Sequence, residues 1–428
     1  MFGFFEKTPL PDFKAEWSQT FTSLRNRNYR LYVLGQFISQ SGTWMQSVAL
    51  SWVVYKLTNS ALALGLVQFA SNLPLLLLTF FGGMAADRFN KKRIIIATQY
   101  LEIVQAVLVT VLYVTGHLTV PWLIGMAIYL GICTAFEVPG RQSFIPELVD
   151  SKEMTNALGL NSAIMNCCRL IGPMLAGLII ATGGEVTCFI VNAASYVAAI
   201  VTLSMIKTHK ASEMEPAKSG ATNGESDKSK PGAAGVDANV KTWLLQPHIR
   251  NILLLVAVTA VFGFQYSILL PVISVQNLSD HTGALLGFLS AGTGVGALIG
   301  SLLIASRGNI TWLSRRVGVG GVMLGAGIFL LALSHILWLS LVATCICGFS
   351  LSMQLGGSNS LLQLQVPTRL RGRVMSIFST FMMGLAPFAA LIGGWVAQSH
   401  GIAVTLGSAA VITAAASGAY VWQARKKS

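Results

Sequence analysis

The chain has 428 residues, of which 53% are apolar and only 11% charged. A soluble domain carries about 25% charged residues, so a soluble globule is excluded and lipid must be the solvent for most of the surface. The six cysteines, Cys133, Cys167, Cys168, Cys188, Cys345 and Cys347, all fall in apolar segments, so no disulfide framework is implied. Cys345 and Cys347 point to different faces of a helix and cannot share a metal.

In chain order, residues 1–28 come first as a cytoplasmic N-terminal segment. It has no sustained apolar core before Tyr29, so no cleavable signal peptide is expected. Phe13, Trp17, Phe21 and Leu24 recur at helical spacing and predict an amphipathic helix on the membrane surface. Apolar runs long enough to cross a hydrocarbon core of about 30 Å then follow at 29–55, 61–86, 93–115, 120–138, 155–181, 186–206, 249–275, 283–306, 314–333, 337–356, 371–398 and 402–422. The fold class is therefore all-α integral membrane, with twelve transmembrane helices. An even number places both termini on one side.

Lysine and arginine choose that side. Alternate loops carry Arg88, Lys91, Lys92 and Arg93, then Arg141 and Lys152, then Arg307, Arg315 and Arg316, then Arg369, Arg371 and Arg373, whereas the opposite loops hold only Lys56. The positive-inside rule puts the basic loops and both termini in the cytoplasm. The net charge of +13 is thus a topology signal and needs no nucleic acid to explain it.

Residues 207–248 are rich in Ala, Gly, Ser and Lys without apolar period and read as a cytoplasmic linker. They separate an N-terminal half, 29–206, from a C-terminal half, 249–424, and leave a cytoplasmic tail, 425–428. The halves resemble each other at an offset of about 220 residues: Leu57-Thr58-Asn59 with Leu278-Ser279-Asp280, Asp87-Arg88-Phe89-Asn90 with Ser306-Arg307-Gly308-Asn309, and Ile145-Pro146 with Val366-Pro367. Two six-helix halves in the same orientation are the architecture of the major facilitator transporters.

The loop between the second and third spans reads Gly82-Gly83-Met84-Ala85-Ala86-Asp87-Arg88-Phe89-Asn90-Lys91-Lys92-Arg93. It resembles the major facilitator signature G-x-x-x-D-R-x-G-R-R/K, with Asn90 where Gly is usual. Asn tolerates a left-handed turn nearly as well. A carboxylate at this helix end can cap another helix and meet its positive dipole end. The resemblance implies that Asp87 does so to the eleventh span, and that a base of the loop pairs with an acid at the cytoplasmic end of span four, the place of Glu137. Gly83, Asp87, Arg88, Asn90, Lys91, Lys92, Arg93, Glu137 and Arg141 are the expected gate. The alternative is that the cluster only sets topology.

The surrounding wording, including VPGRQSFIPELV and RLIGPMLAGLI, is similar to the bacterial subgroup of the enterobactin exporter and the third drug:proton antiporter group. That resemblance implies export across the inner membrane coupled to inward proton flow. Gly172, Pro173 and Gly177 resemble the antiporter motif of span five.

Ionisable side chains at membrane depth are functional candidates. Arg169 lies near mid-span, where insertion costs roughly 2.5–3.5 kcal/mol, and so should face a cavity or a partner. It is read as an anion-contacting or coupling residue, or else a structural pair. Glu102 and Glu137 are further coupling candidates, with a structural polar contact as the alternative for Glu102. Gln36, Gln40, Thr43, Ser47 and Ser51 form a polar stripe on span one beside Trp44. With Gln265 and Tyr266 of span seven and Gln354 of span ten, they are the expected cavity.

The leading expectation is a proton-coupled exporter of an amphipathic, drug- or siderophore-like small molecule, with protons, substrate and the bilayer as partners and a monomer as the expected form. An uptake carrier, a lipid flippase or a non-transporting membrane sensor remain alternatives. No nucleotide-binding loop, metal cluster or nucleophile arrangement is present in the sequence, so neither an enzyme nor a cofactor is expected.

Overall fold

A computed structural model describes residues 22–150, 152–207, 243, 246–305 and 310–425. Phe13, Trp17 and Phe21 of the expected surface helix, residues 208–242 of the linker, Arg307, and tail residues 426–428 lie outside the described residues.

Among the described residues every regular element is helical. α1 spans Arg27–Thr58, α2 Ala61–Arg88, α3 Lys91–Val114 and α4 Val120–Phe144. The next helix, Met154–Ser204, is 51 residues long and breaks at Gly184, where φ is 74° and ψ 172°. Its two arms run in opposite directions against α1. On the first arm Ala157 meets Tyr29 and Cys168 meets Phe37; on the second Thr202 faces Gly35 and Asn192 faces Gly42. The chain therefore reverses at one glycine, and the arms are α5 and α6.

In the second half α7 starts as Pro247–Val258 and continues through a π turn, Thr259–Gly263, into Gln265–Ile268 and Leu270–Gln276. α8 is Ala284–Ala305 and α9 Ile310–Leu333. α10 is Leu337–Leu351, a π turn Ser352–Gly356, and Gly357–Gln365. α11 is Thr368–Gly384 followed by Ala386–His400, and α12 is Ile402–Arg425.

Ten of these helices are long and apolar enough to cross a membrane. The expected twelve differs from that number for two reasons. The 51-residue helix counts once but holds two arms. α1 has the length, 32 residues, but its polar stripe lowers its hydropathy. α10 also runs to Gln365, past the expected end at 356, because its polar last segment, GSNSLLQLQ, still buries Leu361 and Leu362 on one face.

The repeat has a geometric counterpart. Asn59 and Ser279 are the non-glycine residues with left-handed φ among those described, at 46° and 52°. Each precedes the residue that caps the next helix. Ser60 accepts from the Ala63 N–H at 3.2 Å to start α2, and Asp280 accepts from Gly283 at 2.8 Å and Leu285 at 3.0 Å to start α8. Gly401, with φ 84° and ψ 163°, turns α11 into α12 as Gly184 turns α5 into α6. Within each half the second helix packs on the fourth and the third on the sixth. Between halves α2 packs on α11 and α5 on α8, two contacts that exchanging the halves would interconvert.

Candidate functional site

A cavity of about 1080 Å³ lies between the halves. Of the residues expected around it, Thr43, Trp44 and Ser47 of α1, Arg169 of α5 and Tyr266 of α7 line it. Gln36, Gln40, Gln265 and Gln354 do not, which corrects the sequence reading. The α1 stripe follows one line on the helix, but the neighbours of α1 change along its length. Gln36 is buried against α4, where its Oε1 accepts from Arg141 at 3.0 Å. Only from Thr43 onward does the stripe reach the cavity. Gln354 sits inside one π turn and Gln265 just after the other. The extra residue in each π turn rotates the helical register, so α-helical spacing misplaces both. Gln265 is buried against Gly393 and donates to the carbonyl of Val261 at 3.1 Å.

The Arg169 guanidinium is accessible from the cavity and lies 5.2 Å from the centroid of the Trp44 ring. Gly172 and Gly177 act as close-packing positions on either side of Pro173. A side chain at Gly172 would run into Ser41 and Trp44 of α1, and one at Gly177 into Ala284 and Gly287 of α8. The motif thus threads α5 between α1 and α8 and fixes where Arg169 sits.

Behind α1 is a buried polar cluster. Glu102 of α3 and Glu137 of α4 are each 3% exposed. The Gln99 amide donates to Glu137 at 3.1 Å and to Glu102 at 3.3 Å, so the two carboxyl groups lie side by side. Arg141 stands one helical turn from Glu137, with Nε 3.5 Å from its carboxylate. Ser39 donates to Gln99 at 3.0 Å. A second chain runs from Asn192 through Gln46 to Gln105, with bonds of 2.7 and 2.8 Å. Gln99, Gln46, Gln105 and Asn192 were not singled out from sequence. The available signal was the buried face of α3, where Ile95, Gln99, Glu102, Ala106 and Val109 recur at three- and four-residue steps.

This cluster corrects the expected gate pairing. Glu137 faces inward to Gln99 and Arg141, not toward the signature loop. Among the loop bases Lys91 pairs with Glu147 at 2.6 Å, and Lys92 donates to the carbonyls of Ser204 and Ile206 at 3.2 and 2.7 Å, capping the negative end of α6. Both contacts stay within the first half. Asn90 is not left-handed: its φ of −64° and ψ of 116° are extended, and its side chain caps α3 by accepting from Arg93 N–H at 3.1 Å. Asp87, Arg88 and Arg93 are exposed, and Asp87 makes no hydrogen bond or ion pair with the described residues. Gly82 packs on the α4 backbone, whereas a side chain at Gly83 would enter open space.

The other end of the same helices is shut. Side chains at Gly65 or Gly394 would strike the facing backbone of α11 or α2, and Phe69 meets Phe388 edge to face at 5.8 Å. The Gln398 Oε1 accepts from the Ala61 N–H and the Ser60 hydroxyl, both at 3.0 Å. Gly287 meets Gly177 between α8 and α5, and Gln276 donates to the Tyr55 hydroxyl at 3.3 Å. Thus Ala386–His400 packs along α2, while Thr368–Gly384 scarcely touches it. The cavity reaches Ile304, Asn359 and Ser360, toward the end that bears the basic loops.

Two paired halves around one central cavity define a major facilitator transporter. The chain belongs to the transmembrane secretion effector family, whose sequence model matches residues 18–426. Over 384 residues it is 24% identical to the multidrug efflux pump Tap of Mycolicibacterium fortuitum, covering 88% of this chain and 90% of that one. Over 175 residues it is 33% identical to the staphyloferrin A transporter of Staphylococcus aureus, a match that spans 40% of this chain and 44% of that protein. Among solved structures, a bacterial homologue of the human lysosomal transporter Spinster, inward-facing and unoccupied, superposes with a TM-score of 0.69 at 14% identity, covering 93% of this chain and 97% of the other. A bacterial homologue of the iron transporter ferroportin in its inward-facing state gives 0.68 at 16% identity, covering 93% and 98%. The protein is therefore a multi-pass membrane transporter, and its family is one of carriers, not enzymes.

Proposed function

We propose that the chain exports an amphipathic small molecule from the bacterial cytoplasm across the inner membrane, in exchange for protons, by alternating access. All twelve arms cross the bilayer in this reading, with the basic loops and both termini in the cytoplasm. The observation that carries it is the central cavity, sealed by helix packing at one end and unsealed between α2 and α11 at the basic end. This is the geometry of a carrier open to the cytoplasm. The names of two relatives, a multidrug efflux pump and a macrolide efflux protein, favour export over uptake.

Proton carriage is assigned to Glu102 and Glu137. Two adjacent carboxyl groups share one guanidinium in a buried site, and charge balances when one of them holds a proton. The second half offers no substitute. Between residues 249 and 424 the only acid is Asp280, which is spent on backbone N–H groups at the closed end. Gly83 and Asp87 lie where α11 would arrive when the basic end closes. Asp87 then meets the N-terminus of α11, a contact absent from this open state.

The test is accumulation of fluorescent amphipaths in inside-out vesicles energised by respiration. Uptake is expected to depend on the proton gradient and to be lost in Glu102→Gln and Glu137→Gln. Accumulation in right-side-out vesicles instead would overturn the direction, and gradient-independent accumulation would overturn the coupling.

A further inference from the structure

The walls of the cavity carry a charge asymmetry. Among the described residues Arg169 is the only ionised side chain that lines it, and no aspartate or glutamate does. The three ion pairs among the described residues, Lys56–Glu185, Lys91–Glu147 and Arg141–Glu137, leave Arg169 out. Its described neighbour is the face of Trp44, which attracts the cation without neutralising it. Tyr266, on the facing half, packs at the cavity wall within electrostatic reach of Arg169, but its hydroxyl is buried beside Thr293 and adds no negative charge. A guanidinium without an acid is a donor awaiting an acceptor. The carboxyl groups of Glu102 and Glu137 are walled off behind α1 and cannot serve a ligand in the cavity.

We infer that the substrates are organic anions, an apolar or aromatic body bearing a carboxylate. The carboxylate docks on Arg169, the body lies against the apolar wall, and lipophilic cations are disfavoured. This rests on the transport reading of the same cavity and specifies its substrate class. A fixed positive charge with low-dielectric walls attracts an anion and repels a cation of the same shape. Two parallel charge-assisted bonds from the guanidinium fork to one carboxylate add to the discrimination.

The experiment compares binding of two probes to the purified full-length protein: a dansyl-labelled alkyl carboxylate and the dansyl-labelled alkylammonium of equal chain length. The wild type is expected to bind the carboxylate at least about ten-fold more tightly, a difference of about 1.4 kcal/mol. Arg169→Gln should bring the two probes to near parity, and Arg169→Lys should keep most of the preference. Equal or tighter binding of the ammonium by the wild type overturns the proposal without reference to any variant, and so does a preference that survives Arg169→Gln. Because binding needs no gradient, the two readings fail separately. Carboxylate selection by a protein that moves neither probe in vesicles would sink transport and keep the anion site. Equal transport of both probes would sink the anion site and keep transport.

Discussion

The two ends of the α2–α11 pair differ in what they are made of. At the closed end, small residues bring backbone onto backbone, and one neutral side chain, Gln398, caps the start of α2. At the basic end the residues suited to the same task, Gly83 and Asp87, face open space or solvent. The contrast teaches how the proposed alternation between two arrangements would work, with each end built to be broken in turn. The closed end holds by shape, with a single modest cap. At the basic end the proposed closure brings the Asp87 carboxylate to a helix N-terminus, and the loop bases Lys91 and Lys92 make their contacts within the first half.

That comparison can be broken most severely at Gly65. A Cβ there runs into the carbonyl of Ala390, a backbone atom that cannot turn aside. Gly65→Val should force the closed end apart, since overpacking costs typically 1–3 kcal/mol or more. Transport should be abolished, and a spin-label pair across that end should show the distance widening. Gly83→Leu should come next. Nothing occupies that space now, so thermal stability should stay within about 0.5 kcal/mol of wild type. Vesicle transport should nevertheless fall by about ten-fold or more, because the basic end can no longer close, a penalty of about 1.4 kcal/mol or more. Equal losses of stability and transport would show that Gly83 is only a packing position.

Asp87→Asn should behave similarly but less severely. Asn caps a helix nearly as well as Asp but gives up the charge–dipole attraction, worth about 0.3–1 kcal/mol. Transport should drop by a few-fold while melting of the protein in this open state is unchanged. The smallest effect belongs to Gln398→Ala. An exposed cap is worth about 0.5–1 kcal/mol, so the population open at the opposite end should rise by roughly two- to five-fold. An unchanged population would show that shape alone holds that end.

Much of the fold was legible because lipid imposes a long apolar run on each crossing helix, and basic loops alternate along the chain. The exceptions have physical causes. α1 is a spanning-length helix with a polar stripe that hydropathy penalises. The end of α10 reads as a loop because Gly357, Ser358, Asn359 and Ser360 are polar, yet Leu361 and Leu362 bury it. The family position of Asn90 suggests a left-handed turn, but its side-chain oxygen caps α3 instead. The site was half legible. Arg169 is legible because charge at membrane depth is rare, and Trp44 and Tyr266 because each stands beside polar residues of its span. The pairing of Glu137 with Gln99 and Arg141 was not legible, since it depends on α3 and α4 packing face to face, and a π turn shifts register with no mark in the sequence.

The single-glycine reversals at Gly184 and Gly401 bear on how the molecule can move. With one residue at the corner, α5 and α6 have no slack between them, and α11 and α12 have none either. Each hairpin is a stiff lever. The Lys56 ammonium, 2.6 Å from Glu185 beside that corner, braces the first lever to α1, and the Tyr113 hydroxyl shares the same carboxylate from α3. In the proposed alternating-access cycle, motion that opens one end and shuts the other would have to pivot each lever as a unit about the close glycine contacts of α5 with α8 and of α2 with α11. Those contacts would then serve as fulcrum as well as seal, and their height along the helices would set how far each mouth opens.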